Sequence, residues 1–151
     1  MPAKNATGER LRTFLLFVLL IGASGTGTEL LLLGHYEDWW QRIPLVGLGV
    51  SVALTVWILV RPSARAIKAL QVLGILFLAT GAVGFGLHFK GNVEFELELH
   101  SSTSGLVLVW EALRGAFPAL APGAMAQLGL LGLAACYRHP LLPRGNREEE
   151  D

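Results

Sequence analysis

The chain has 151 residues, 52% of them hydrophobic and 16% charged, with a formal net charge of zero. Its apolar residues come in blocks too long for an ordinary soluble domain, and its basic residues are too scattered and too close to those blocks to form a nucleic-acid surface, so no nucleic acid is expected as a partner. The only cysteine, Cys136, excludes an intrachain disulfide and any cysteine-built zinc or iron–sulfur centre.

Apolar blocks at residues 13–33, 43–60, 69–87 and 120–137 each approach the roughly 20 residues that carry a helix across about 30 Å of hydrocarbon. Amides in lipid must be satisfied within their own segment, so such blocks are helices. The expectation is an all-α integral membrane protein of one domain, a four-transmembrane-helix bundle in the lipid bilayer. A small extracytoplasmic cap comes from the outer loop, residues 88–118, and a cytoplasmic tail follows at 138–151. Threading places Lys4, Arg10, Arg12, Arg61, Arg65, Lys68, Arg138, Arg144 and Arg147 on one side and Arg42, Lys90 and Arg114 on the other. This asymmetry orients both termini to the cytoplasm.

The basic lead-in, residues 1–12, reads as a fraying anchor for anionic headgroups. Lys4, Arg10 and Arg12 ahead of Phe14–Ile21 also fit a signal peptide, but apolar character resumes at Leu30 and completes a span. In the first helix Gly22, Gly25, Thr26 and Glu29 follow at spacings of three and four, which predicts one small and polar face turned into the bundle. Glu29 lies about 7 Å inside the outer boundary. An acid at that depth is costly unless neutralised, paired or wet.

His35, Trp39 and Trp40 mark the exit from hydrocarbon, the tryptophans as an aromatic belt. Pro44 suits the first turn of a second helix that contains no ionisable residue. In the third helix Gly74, Gly81, Gly84 and His88 share one stripe, which predicts a helix neighbour on that side.

Beyond it, Val93, Phe95, Leu97 and Leu99 alternate with Glu94, Glu96, Glu98 and His100, the period of a half-buried strand. The cap is therefore expected to hold a short β segment. After the SSTSG turn, Leu106, Val109, Trp110, Leu113 and Phe117 fit either a returning hairpin strand or, by preference, an interfacial helix ending at Gly115. The fourth helix opens with Pro122 and Gly123 and carries Gln127 about 10 Å deep. The tail from Arg138 is Pro-rich, then charged, and reads as disordered.

Glu29, His35, His88 and Gln127 are the ligand-binding candidates, a polar pocket near the outer face. His35 and His88, at the outer ends of two helices, are also candidates for holding haem b or a divalent metal. Glu94, Glu96, Glu98 and His100 on one strand edge would add metal ligands. No phosphate loop, nucleophile elbow or Walker-type lysine is present, and the balance is against an enzyme. The combination of ELLLLGHYEDWW, GNVEFELEL and LAPGAMAQLGLL reads as a small protein of a bacterial cytoplasmic membrane. The functional expectation is an accessory or small-solute-binding subunit. Its alternatives are a haem- or metal-bearing redox subunit, or an assembly subunit that binds a membrane partner or its own copies.

Overall fold

The computed structural model describes residues 2–142, with side chains from residue 6 onward; the tail expected to be disordered lies outside the described residues beyond Leu142. Five helices follow in order: α1 (Pro2–Leu32), α2 (Trp39–Val60), α3 (Ala64–Leu99), α4 (Gly105–Arg114) and α5 (Gly123–Cys136). Three of them, α1 from Ala6 onward, α2 and α3, are long and apolar enough to cross a membrane, and α5 is apolar but shorter. This is the mark of an integral membrane protein. Consistent with it, Phe14, Phe17, Ile21, Val46, Val50, Val72, Ile75 and Val83 point outward, as side chains facing lipid do.

α1 starts inside the basic lead-in rather than after it. It ends in a Schellman cap: Gly34 has φ +67°, its amide donates to Leu31 O, and the His35 amide donates to Leu30 O at 2.9 Å. Glycine suits this left-handed position because it has no Cβ. α2 begins four residues earlier than Pro44 suggested. Gln41 Oε1 accepts from the Glu37 and Asp38 amides, the reach-back half of a capping box. Arg42 closes the same loop by donating to Tyr36 O and Glu37 O. Pro44 therefore falls inside the helix. Ser63, accepting from the Ala66 amide, caps α3 after the Arg61–Pro62 break.

The expected β segment is not there: no strand forms among the described residues, and residues 93–99 continue α3. The physical reason is cooperativity. A helix already about eight turns long adds each further residue without a new nucleus, whereas a strand at this point has no partner to pair with. Glu and Leu propagate helix well. The continuation also gains i,i+4 pairs, Lys90–Glu94 at 3.5 Å and Glu96–His100 at 3.0 Å. At 36 residues α3 is about 54 Å long.

α4 matches the helix expected before Gly115. It packs on the end of α3 and runs antiparallel to it, forming a helical hairpin.

α5 is the centre of the packing. It lies against both α3 and α1, while α2 packs on α1 and α3 from elsewhere. The α3–α5 contact is built on the predicted glycine stripe. A Cβ on Gly129 would come within 2.6 Å of Gly74 O, one on Gly81 within 3.0 Å of Pro122 O, and one on Gly84 within 2.8 Å of Pro122 Cβ. On the α1 side, Gly22 faces Leu128 and Gly132 faces Leu19. At the far end Arg12 Nη2 donates to Arg138 O at 3.1 Å, supplying a positive charge to carbonyls at the C-terminal end of α5. The neighbouring His139 is held below the usual histidine range by burial and by the Arg12 charge.

The α3–α5 backbone contact predicts opposite effects of two similar substitutions. Gly129→Ala is expected to lower stability by about 1–3 kcal/mol, since the helices must separate. Gly49→Ala, where an added Cβ meets nothing within 4 Å, is expected to be neutral or to stabilise by up to about 1 kcal/mol. Unfolding by SDS titration in mixed micelles measures both.

Candidate functional site

The polar groups at the distal ends of α1 and α3 divide into those that find partners within the chain and those that face outward. Asn92 is the most completely satisfied. It is 1% exposed, its Nδ2 donates to Ala112 O at 2.8 Å and to Phe117 O at 2.6 Å, and its Oδ1 accepts from the Phe117 amide at 2.9 Å. One side chain thus ties α3 to α4 and to the segment leading into α5. Gly115 sits against it so closely that a Cβ would overlap the amide. Gly91 packs under the Phe117 ring from the same side. Sequence reasoning missed Asn92, because an asparagine inside an alternating polar run carries no local signal of burial.

His88 lies one helical turn before Asn92 on the same side. Its Nδ1 is 3.1 Å from Pro118 O, and since a carbonyl only accepts, Nδ1 carries the proton and Nε2 is left as an acceptor. The ring also meets Phe117 edge-on, centroids 6.5 Å apart. His35 follows the Schellman glycine of α1 and is half-buried. Burial, and secondarily the charge His88 would carry, hold it below the ordinary histidine value. The two histidines expected at one end of the molecule are therefore electrostatic neighbours.

Glu29 and Gln127 behave differently. Both are exposed on the outside of the packed helices, and neither side chain has a hydrogen-bond partner among the described residues. The inward side of α1 is Leu16, Leu19 and Ala23, which turns Gly25 and Glu29 outward instead of into the bundle. A pocket lined jointly by Glu29, His88 and Gln127 is not assembled in this arrangement.

The acidic row is also divided. On a helix Glu94 and Glu98 share one side, while Glu96 and His100 lie about 200° away and bond each other. Among the described residues, no three histidine, cysteine, aspartate or glutamate side chains are grouped to hold a metal ion. His35 and His88 remain as a pair.

Comparison with family models, with characterised proteins and with solved structures finds no match. The architecture is thus defined by its own geometry: an all-α, membrane-type protein with three long apolar helices, a shorter apolar helix packed among them and a helical hairpin at one end.

The depressed His35 pKa has a definite sign. An unfolded histidine binds protons more readily than this one, so its contribution to stability is complete above about pH 6.5 and is lost as pH falls through the lower folded value. His88→Gln is expected to move the His35 pKa part of the way back toward 6.5, leaving the burial contribution in place. Imidazole NMR titration in micelles measures it.

Proposed function

We propose that this chain is a four-span accessory subunit of a bacterial cytoplasmic membrane, both termini cytoplasmic, that presents the α3–α4 hairpin on the outer side to a membrane partner. The observation that carries the reading is the hairpin itself. α3 is about 54 Å long against about 30 Å of hydrocarbon, and its surplus is the part that carries Lys90, Glu94, Glu96 and Glu98. α4 is fastened along this surplus by Asn92 and shows Leu106, Val107, Val109 and Trp110 to the exterior, Leu106 being 87% exposed. Exposed apolar side chains on a rigid element outside the hydrocarbon suit protein contact.

The four-span reading is supported by the packing of α5 antiparallel to α1 and α3 and by the distribution of lysine and arginine. Of the two halves of the functional expectation, the geometry favours the accessory role over the solute pocket. Glu29 and Gln127 are exposed on the outside of the packed helices, and neither bonds His88.

In-cell photocrosslinking from position 106 or 110 tests this. Protein adducts are expected from both, and Asn92→Ala, which strips three hydrogen bonds and costs about 2–4 kcal/mol, is expected to reduce them several-fold. Lipid adducts alone would reject the hairpin as a docking element.

A second reading, a haem b or divalent-metal redox subunit using His35 and His88, is favoured by one observation. A histidine that donates Nδ1–H to a backbone carbonyl, as His88 does, has the tautomer and fixed ring orientation of a metal ligand. It predicts a Soret band or one metal per chain in detergent-purified protein, lost in His88→Ala; a featureless, metal-free preparation after growth with excess haem and metal counts against it.

A further inference from the structure

α5 turns two sides inward, toward α1 and α3, and leaves a third uncovered. Along that third side Gly123, Gln127, Leu130, Ala134 and Tyr137 are exposed. Their intervals of four, three, four and three are the spacing of a left-handed helix–helix seam. Gly123, where an added Cβ meets nothing within 4 Å, and Ala134 leave room for a second backbone to approach.

Gln127 sits in this seam. Its neighbour Ala126 faces Gly81 of α3 and its neighbour Leu128 faces Gly22 of α1, so the amide lies level with the apolar stretches of both long helices. Lipid offers no hydrogen bond there, and no group among the described residues bonds the side chain. Glu29 is exposed too, but it lies in the last turn of α1, about 10 Å nearer the outer end than Gly22.

Copies of a membrane protein share one orientation, so a given residue lies at the same depth in each. An outward amide at a given depth therefore meets its own equivalent when two α5 seams come together. A carboxamide holds both donor and acceptor, and two of them satisfy each other reciprocally about a two-fold axis, the isologous contact of a symmetric dimer. We propose that the uncovered face of α5 is a homodimer interface, with Gln127 of each copy hydrogen-bonded to Gln127 of the other inside the hydrocarbon. This rests on the reading of α5 as a crossing helix.

The test uses the full chain in lipid vesicles, with Cys136→Ser and a single labelled cysteine at Ser102, and reads energy transfer between donor- and acceptor-labelled chains as lipid dilutes the protein. Transfer is expected to persist to high dilution. Gln127→Leu, which removes only the amide and favours the lipid-inserted helix, is expected to raise the protein density for half-association by about 3- to 30-fold. Gln127→Asn, still self-complementary, is expected to retain more of the association than Gln127→Leu does. A chain without transfer at any dilution overturns the proposal, and so does a Gln127→Leu curve that coincides with the parent.

Separate chains with cysteines at Ser102 and Leu141, probed with a membrane-impermeant maleimide, locate a failure. Labelling from the same side of the vesicle overturns the crossing of α5 and the dimer together. Labelling from opposite sides with unchanged association in Gln127→Leu overturns the dimer alone.

Discussion

The near-contact of the Gly74 and Gly129 backbones is the constraint on which the remaining arrangement depends. In lipid there is no hydrophobic gain from bringing helices together, so cohesion comes from how closely their atoms approach. Glycines on both sides allow α3 and α5 to meet at the level of backbone atoms, and Gly81 and Gly84 continue the contact to Pro122. This fixes the height at which α5 begins. That height in turn brings Pro118 to His88 and Phe117 to Asn92. The hairpin is thus positioned from below, by glycines about two to five turns away.

The polar residues show a division of labour that hydropathy alone does not reveal. Asn92, His88 and Arg12 each bond backbone carbonyls that a helix end or an irregular segment leaves free. They hold the chain to itself. The Glu29 and Gln127 side chains bond nothing among the described residues and face outward. For a protein in lipid the second class carries the information about its surroundings, because an outward polar group at depth is costly unless water, a headgroup or another protein answers it.

The three long spans and the glycine stripe of α3 were legible in the sequence because both rest on simple counts, the length of an apolar run and a spacing of three or four. The orientation of α1 was not. Its lipid side and its packed side are both apolar, so the contrast that reveals a buried face in water is missing, and the stripe through Gly25 and Glu29 looked as well suited to the interior as the one through Leu19 and Ala23. The run from Val93 to Leu99 failed for a different reason. Its two-residue period is a statement about side chains, and it was overruled by a helix that arrives already formed. α4 was readable from its own ending at Gly115, while Asn92, its anchor, was not, since its partners Ala112 and Phe117 lie 20 and 25 residues away and offer it only backbone groups.

The place of α5 in the chain bears on how the protein is made. It is the last of the five helices to be synthesised, yet it packs on both α1 and α3. Until it arrives, Gly22, Gly74, Gly81 and Gly84 line an unfilled furrow, and the Arg12 guanidinium lacks the carbonyls of Tyr137 and Arg138 to which it donates. A nascent chain stopped short of residue 123 would hold all three long helices and still lack the piece that joins the first to the third. Closure of the fold therefore waits for α5, and Arg12 is satisfied only by carbonyls that follow it by 125 and 126 residues.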